Sequence, residues 1–378
     1  MKMLLSCGGT GGHIYPAVAI AETMKRMISD LEIVFVGGKE GLEKDLITHE
    51  GYPFEAVNVS GFARSKSVRS VFTNLKTSLE AVTSVNEAGK ILQKHSPDLV
   101  VGTGGYACWP ALRAAAKMKI PCAVHESNVE PGLAVKALLG KMDKVFVNFE
   151  ETAEALRGHA NVERVGIPVR NGFAGMTREE AKERLGIGKD RKLIVSFGGS
   201  GGAEYMNEGI LKMMKIYDTV HPEIVHIHAA GKRPGVYEEA KASFDALGLG
   251  DNDRISLVPY IYDMPLRMAA ADLVICRAGA MTISELAMLG KCAALVPSPY
   301  VTNQHQYKNA KALEDKGACA IIYDKDETKF TGKEFADVVD RLMKDDAQRE
   351  KMSVKIKSFA LPDANERIAQ QLIKMLRG

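Results

Sequence analysis

Short, continuous apolar runs alternate with helical stretches along the whole chain. Such runs, rich in Val and Ile, are typical of strands that are covered on both faces. The predicted strands are residues 3–5, 32–37, 98–102, 122–125, 144–147, 193–195, 224–228, 254–258, 272–276, 292–297 and 319–322. Because helical stretches separate them, the pattern predicts right-handed βαβ crossovers and parallel sheets, hence an α/β fold.

The length of the chain predicts two domains, because 378 residues exceed one ordinary hydrophobic core. The segment VGIPVR at 165–170 follows the last strand of the first half and suits a boundary. We therefore predict a first domain over 1–167 and a second over 168–349. A terminal helical region from about 350 to 378, broken at Leu361–Pro362, is expected to pack back on the first domain.

A glycine-rich sequence occurs twice, once at the start of each half. SCGGTGG at 6–12 and SFGGSGG at 196–202 each follow an apolar run and precede a helical stretch. Glycine lets backbone N–H groups approach a ligand closely, and the positive end of a helix favours an anion. One such turn could be only a tight connection. The repeat, with a third cluster GTGGY at 102–106, instead predicts two similar domains facing each other over a phosphate-bearing ligand.

Other features narrow the function. G-x-G-x-x-G would need glycine at Ile14 or Glu204, and no P-loop ending is present, so the usual signatures of hydride transfer and ATP hydrolysis are missing. The net charge of +3 is too small to indicate a nucleic-acid binder. The six cysteines form no C-x-x-C pair and are expected to be buried, reduced thiols. No long apolar run is present, so we expect any membrane contact to be peripheral.

His13 follows the first glycine turn. An imidazole near the positive end of a helix is discouraged from becoming charged, so it stays able to accept a proton. A lone histidine is more often structural, but this position beside a phosphate turn favours a general base. Pro16 is expected to take the first position of the following helix.

Taken together, the motifs resemble the MurG-type glycosyltransferases of peptidoglycan synthesis, in the order of that family, from residue 1 to about 325. The matching segments are GGTGGHIYP at 8–16, GGY at 104–106, HESN at 125–128 with PG at 131–132, GIPVR at 166–170, GGSGGA at 198–203, RAGAMTISE at 277–285 and QHQY at 304–307. The resemblance implies a GT-B fold, in which two Rossmann-like, doubly wound parallel-sheet domains face each other across a cleft.

The resemblance also implies an activity. The enzyme would be an inverting hexosyltransferase that moves N-acetylglucosamine from UDP-GlcNAc to the 4-hydroxyl of MurNAc in undecaprenyl-diphosphate-linked MurNAc-pentapeptide, converting lipid I to lipid II. Ser127, Ile167 and Gly201 depart from the family pattern, in segments that would contact the donor. The implied substrate-binding residues are Thr10, Gly11, Gly12, Asn128, Arg170, Ser200, Ile261, Ala280, Met281, Thr282, Ile283, Ser284, Glu285 and Gln306.

The chemistry needs a base, stabilisation of the departing UDP and an in-line approach. His13 is the candidate base, and the Ser200 turn would receive the leaving diphosphate. Gly104, Gly105 and Tyr106 would then hold the diphosphate of the acceptor. Asp324-Lys325-Asp326 is formally a D-x-D metal motif, but a charged loop is the better interpretation. We expect no catalytic metal and no cofactor.

Residues 62–72, FARSKSVRSVF, mix bulky apolar side chains with cations and contain no acid. This composition suits reversible docking on an anionic membrane surface, although an ordinary surface loop is the alternative. We expect peripheral attachment at the cytoplasmic face of a bacterial plasma membrane.

Two other functions remain open at this point. A different GT-B enzyme, such as a UDP-sugar 2-epimerase, would share the architecture and differ on the acceptor side. A non-catalytic UDP-sugar-binding protein would keep the glycine turns without turnover.

Overall fold

The computed structural model describes residues 1–59, 83–159, 161–173, 175–301, 304–323 and 330–377. The chain divides into two compact units. The first comprises Met1–Arg170 together with Leu361–Gly378, and the second comprises Asn171–Ala360. Two segments with sequence predictions, the basic stretch 62–72 and the D-x-D at 324–326, lie outside the described residues.

The first unit contains a seven-stranded parallel sheet in the order β3-β2-β1-β4-β5-β6-β7. Its strands are β1 (Lys2–Ser6), β2 (Glu32–Gly38), β3 (Phe54–Val57), β4 (Leu99–Gly102), β5 (Cys122–Glu126), β6 (Lys144–Val147) and β7 (Val162–Arg164). In the middle of the sheet, Leu4 aligns with Val34 on one side and Val100 on the other. The helices of this unit before the crossing are α1 (Gly11–Met27), α2 (Glu43–His49), α3 (83–95), α4 (Cys108–Lys117), α5 (Leu133–Leu138) and α6 (Glu150–Ala155).

The second unit contains a six-stranded parallel sheet in the order β10-β9-β8-β11-β12-β13. Its strands are β8 (Lys192–Phe197), β9 (Ile224–Ala229), β10 (Ile255–Val258), β11 (Leu273–Cys276), β12 (Ala293–Leu295) and β13 (Ala320–Ile321). Its helices are α7 (Arg178–Arg184), α8 (Glu204–Val220), α9 (Val236–Ala246), α10 (Met264–Ala270), α11 (Ala280–Leu289), α12 (His305–Glu314), α13 (Lys333–Lys344) and α14 (Asp346–Lys357). Both sheets therefore have the doubly wound strand order of a Rossmann fold.

The last helix, α15 (Ala364–Arg377), belongs to the first unit, where it packs on α1. Asn365 fixes it there, because its side-chain amide donates to the Val169 carbonyl at 2.7 Å and its oxygen accepts from the Val169 N–H at 2.9 Å. The sequence placed this return at about residue 350. In the structure α14 packs on α11 and α13 within the second unit, and the chain returns only after the break at Leu361–Pro362.

Every strand predicted from an apolar run is present, and two further strands, β3 and β7, were missed. Both are edge strands and carry a glutamate in their short sequences, FEAV and VER, so no continuous apolar run marks them. The expectation for Pro16 is wrong. Helix α1 begins at Gly11, because the Thr10 carbonyl already accepts from the N–H of Ile14 at 3.1 Å. His13 thus lies in the first helical turn.

The six cysteines are all free thiols and all buried, as predicted. Burial raises the pKa of the Cys108 thiol to about 12, which keeps it protonated and unreactive. Across the described ranges, no helix has both the length and the apolar character needed to cross a bilayer.

Candidate functional site

The residues assigned to substrates lie beyond the carboxyl ends of the parallel strands in each unit. In the first unit, Thr10–His13 follow β1, Gly104–Tyr106 follow β4 and Asn128 follows β5. Strands β1 and β4 are neighbours at the point where the strand order reverses. Ligands of open parallel sheets bind at such a switch point. The fold therefore gathers these residues at the edge where a ligand is expected.

His13 has a defined tautomer. Its Nδ1 lies 3.0 Å from the Gly8 carbonyl oxygen, which can only accept, so Nδ1 carries the proton and Nε2 keeps a lone pair. Burial lowers the pKa of His13, against the opposing effects of Glu126, the Gly8 carbonyl and Glu43. A neutral imidazole with an accepting Nε2 is the form that a general base needs.

Two glycine turns pack directly on each other around His13. A Cβ on Gly105 would lie 2.1 Å from the Gly8 carbonyl oxygen, and a Cβ on Gly104 would lie 3.2 Å from Nε2 of His13. Both glycines have positive φ, 99° and 79° at Gly104 and Gly105. Thr103 ties the second turn to the helix by donating its hydroxyl hydrogen to the His13 carbonyl at 2.6 Å. Glycine is thus required for the turns to meet and for Nε2 to stay uncovered.

Glu43 is a functional candidate that the sequence analysis missed. It is fully buried, and its Oε1 accepts from the Gly9 N–H at 2.7 Å, fixing the first glycine turn. Burial and the nearby Glu43 raise the pKa of Tyr106 to about 12, so its hydroxyl remains a donor. Glu43 therefore fixes the first turn and lies beside Tyr106 of the second.

Glu126 organises the loop that carries Asn128. Its Oε1 accepts from both the backbone and the side-chain N–H groups of Asn128, each at 2.9 Å, and its Oε2 accepts from the Gly132 N–H at 2.8 Å. The amide oxygen of Asn128 is thereby aimed away from Glu126, and the side chain is half-buried. This arrangement explains why a glutamate and a glycine accompany Asn128 in the sequence.

Arg170 is buried within the first unit. Its guanidinium lies 3.8 Å from the centre of the Tyr15 ring, and its Nη1 lies 3.1 Å from Oε1 of Glu50. A stacked and ion-paired guanidinium is held rigidly. The structure therefore places Arg170 against α1, on the side chain of Tyr15, which lies two residues after His13. Glu50 is a partner of Arg170 that the sequence did not indicate.

In the second unit, the Ser200 turn joins β8 to α8. Gly202 has a φ of 83°, and a Cβ there would lie 2.1 Å from the Ala230 carbonyl oxygen. The Ser200 carbonyl accepts from the Lys232 N–H at 2.9 Å. Lys232 also places a cation beside this turn, and its Nζ donates to the Tyr262 hydroxyl at 2.6 Å. Lys232 is a second residue missed from sequence, because its turn lies far along the chain from Ser200.

The other second-unit residues assigned to the donor follow strands β10, β11 and β12. Ile261 follows β10 and is buried. Residues Ala280–Glu285 form the first turns of α11, whose N-cap is Gly279, and Glu285 is buried. Gln306 lies at the start of α12 and accepts from the Ser298 N–H at 2.9 Å. Ser200, Ile261, Glu285 and Gln306 thus all lie beyond the carboxyl ends of one sheet.

Three helices of these loops can receive anions at their N-termini. The N-caps of helices α1, α8 and α11 are Thr10, Ala203 and Gly279, and within the described part of the chain none of them makes a side-chain capping hydrogen bond. Backbone N–H groups at a helix start together with the helix dipole form an anion site. Among the same residues, no group of three or more His, Cys, Asp and Glu is arranged to hold a metal ion.

The buried His125, beside the site, should make the stability of the first unit depend on pH. Its Nε2 donates to the Gly166 carbonyl at 2.7 Å, and burial lowers its pKa to about 4. An unfolded histidine titrates near 6.5, so between pH 6.5 and 4 the unfolded chain binds a proton that the folded chain does not. The stability that the first unit gains from a neutral, buried His125 is fully present above pH 6.5. About 2–3 kcal/mol of the free energy of unfolding should be lost by pH 4.5.

The sole tryptophan, Trp109 on α4, reports this unit, so urea unfolding followed by its fluorescence at pH 7.5 and 4.5 measures the loss. A His125→Gln chain is the control, because it lacks the titrating group. Its unfolding free energy should fall by about 2–3 kcal/mol less than that of the wild type. Equal losses in both chains would rule out His125 as the cause.

Two domain models of one protein family match this chain. The N-terminal domain of glycosyltransferase family 28 matches residues 3–147, and the C-terminal domain of that family matches residues 193–368. A UDP-N-acetylglucosamine–N-acetylmuramyl-(pentapeptide) pyrophosphoryl-undecaprenol N-acetylglucosamine transferase of Caldanaerobacter subterraneus is 39% identical over 376 residues, covering 100% of each chain. The protein of the same name from Listeria monocytogenes serotype 4b is 36% identical, also over 100% of each chain.

Solved structures agree on the fold. A crystal structure of MurG from Acinetobacter baumannii superposes with a TM-score of 0.66 at 25% identity and covers 99% of both chains. A UDP-GlcNAc 2-epimerase from Neisseria meningitidis, solved with UDP-GlcNAc bound, gives a TM-score of 0.64 at 15% identity, covering 99% of this chain and 100% of the epimerase. At that identity the epimerase shares the fold alone.

Proposed function

Because the chain belongs to glycosyltransferase family 28, among the N-acetylglucosaminyltransferases that act on N-acetylmuramyl-(pentapeptide) pyrophosphoryl-undecaprenol, we propose that it catalyses their reaction. It transfers N-acetylglucosamine from UDP-GlcNAc to the muramoyl sugar of lipid I and so forms lipid II. The observation that carries this assignment is 39% identity along the entire chain. The epimerase alternative has only a shared fold, at 15% identity.

The second unit binds the donor in this proposal. The diphosphate lies at the Ser200 turn and at the start of α11, where backbone N–H groups and helix dipoles stabilise charge as UDP departs. Glu285 accepts from the ribose hydroxyls, since a carboxylate can bridge two vicinal donors. Ile261 meets the uracil through its backbone. Gln306, at the start of α12, contacts the sugar.

The first unit supplies the base and binds the acceptor. His13 removes the proton of the 4-hydroxyl of MurNAc through Nε2, and the hydroxyl oxygen displaces UDP with inversion at the sugar carbon. Supporting this role, Nδ1 is committed to the Gly8 carbonyl, 3.0 Å away, which leaves Nε2 as the accepting atom. The turns around Gly11, Gly12, Gly104 and Gly105, with the Tyr106 hydroxyl, hold the lipid-linked diphosphate. Thr10, Asn128 and Arg170 complete the donor-sugar contacts.

A direct assay tests the assignment. Purified protein is incubated with radiolabelled UDP-GlcNAc and a lipid I analogue, and the products are separated by chromatography. We expect label in the lipid fraction only when the acceptor is present. Conversion of UDP-GlcNAc to its C2 epimer without acceptor would instead identify an epimerase. Tight binding of UDP with no turnover would identify a non-catalytic binding protein.

Turnover should not depend on a divalent cation, because the proposed diphosphate site uses backbone N–H groups and helix dipoles for charge stabilisation. We expect the transfer rate in excess EDTA to remain within about twofold of the untreated rate, whereas metal-assisted stabilisation is worth several kcal/mol. The measurement is the initial rate before and after chelation. Strong inhibition that Mn²⁺ reverses would contradict the proposal.

The basic segment 62–72 docks the enzyme on an anionic membrane in this proposal, at the cytoplasmic face where its lipid substrate would be reached. Each cation near such a surface contributes about 1 kcal/mol, so Arg64→Glu with Arg69→Glu should weaken vesicle binding at least about tenfold. Co-sedimentation with phosphatidylglycerol vesicles measures this, with UDP affinity as the control that should not change. Unchanged sedimentation would exclude this segment as the dock.

A further inference from the structure

Four polar side chains lie buried together beneath the Ser200 turn. Ser196 is on β8, His226 and His228 are on β9, and Asn207 is in the first turn of α8. Their exposed fractions are 0%, 2%, 0% and 3%. A buried polar group without a partner costs about 1–3 kcal/mol. Such a cluster therefore needs a role that apolar residues could not fill.

The four side chains form one hydrogen-bonded chain. Ser196 Oγ lies 2.8 Å from Nε2 of His226 and 2.8 Å from Nδ1 of His228. Nε2 of His228 lies 3.0 Å from Oδ1 of Asn207. Nδ2 of Asn207 donates to the Ala230 carbonyl at 2.9 Å.

The backbone fixes the orientation of Asn207 at one end of this chain. The Ala230 carbonyl can only accept, so Asn207 presents its Nδ2 there and its Oδ1 to His228. Two acceptors compete for the proton of His228, since Oδ1 of Asn207 faces its Nε2 and the Ser196 carbonyl oxygen lies 3.1 Å from its Nδ1. Burial lowers the pKa of His228 to about 4 and that of His226 well below its usual value, so each ring carries one proton near neutral pH. The Ser196 hydroxyl lies between the two rings and can donate its one hydrogen to only one of them.

The carbonyl at the end of this chain supports the glycine turn. A Cβ on Gly202 would lie 2.1 Å from the Ala230 oxygen, and a Cβ on Gly231 would lie 2.2 Å from the Cα of Gly202. The next residue, Lys232, donates its N–H to the Ser200 carbonyl at 2.9 Å. Any movement of the Ala230 peptide therefore displaces the Ser200 turn.

We propose that Asn207, held between the Ala230 carbonyl and His228, is a positioning residue that sets the Ser200 turn for the diphosphate of the nucleotide sugar. This inference rests on the proposed function, in which that turn receives the donor. Asn207 does not itself contact the ligand. It holds the Ala230 peptide, and the peptide holds the turn.

Three substitutions test the proposal. Asn207→Asp keeps the shape and the acceptor facing His228 but replaces the donor to Ala230 with a carboxylate oxygen. Ser196→Ala removes a link farther from the turn. The control is Tyr217→Phe on the same helix, which removes an equally buried hydrogen bond, the 2.8 Å contact of the Tyr217 hydroxyl with the Ala336 carbonyl. Thermal unfolding establishes that each variant is folded.

The readouts are KM for UDP-GlcNAc, KM for a lipid I analogue, and UDP affinity by calorimetry. Losing a buried hydrogen bond of about 1–3 kcal/mol at the turn predicts a rise of about tenfold or more in KM for UDP-GlcNAc in Asn207→Asp. We expect a rise of about twofold to threefold in Ser196→Ala, since Asn207 keeps its hydrogen bond to the Ala230 carbonyl and its contact with His228. Both variants should keep the acceptor KM, and Tyr217→Phe should keep both constants.

Wild-type UDP-GlcNAc KM and UDP affinity in folded Asn207→Asp would overturn the proposal, as would an equal rise in Tyr217→Phe. If Asn207→Asp does not fold, an unchanged KM in Ser196→Ala has the same consequence. A wild-type protein that binds UDP but transfers nothing would refute the proposed function instead, and the calorimetric series would still decide the role of Asn207.

Discussion

Replacing His13 with alanine should lower the transfer rate by about 10²–10⁴-fold, the usual contribution of a positioned general base. The loss should fall on kcat, because the 4-hydroxyl keeps its proton as it attacks. UDP affinity should not change, since the proposed UDP contacts Ser200, Ile261 and Glu285 lie on the second unit. Initial rates with a lipid I analogue and calorimetry with UDP measure the two quantities.

His13→Asn separates a base from a structural anchor. An asparagine amide can donate to the Gly8 carbonyl, as Nδ1 of His13 does at 3.0 Å, but it has no nitrogen that accepts a proton. We therefore expect His13→Asn to be as inactive as His13→Ala. If His13→Asn keeps most of the activity, His13 serves to hold the glycine turn and another group is the base. Since burial lowers the pKa of His13, the wild-type rate should persist below pH 6.5.

The glycine turns and inner strands could be predicted because each depends on local chemistry. Continuous apolar runs such as 98–102 and 272–276 became central strands, since a strand buried on both faces is mostly apolar. The edge strands β3 and β7 could not be found this way. Their pairing depends on a neighbouring strand rather than on their own sequence.

The residues that hold the site in place could not be predicted from the sequence either. Glu43 reaches Gly9 across 34 residues of chain, and Glu50 reaches Arg170 across 120. Nothing in the residues around Glu43 separates it from a solvated charge at the start of a helix. The sequence predicted the chemistry at the ends of the strands, whereas the long-range contacts that hold it in place follow from tertiary packing.

Gly105→Ala should destabilise the first unit by more than about 4 kcal/mol, an effect at the extreme of single substitutions. The new Cβ would lie 2.1 Å from the Gly8 carbonyl oxygen and 2.7 Å from its carbon, both backbone atoms that no rotamer change can move. The positive φ of 79° adds about 1–2 kcal/mol. Urea unfolding followed through Trp109 measures the change in the first unit alone, which matters because a two-unit chain need not unfold in one step.

Gly51→Ala is a control that separates the steric overlap of a new Cβ from the strain of a positive φ. Gly51 lies in the same unit with a nearly identical φ of 81°, but a Cβ there meets no atom within 4 Å. It should cost only the conformational penalty of about 1–2 kcal/mol and leave transfer activity intact. The difference between the two variants then isolates the contact between the glycine turns. Equal destabilisation would mean that the turns can separate without cost, and the arrangement that keeps Nε2 of His13 uncovered would lose its structural basis.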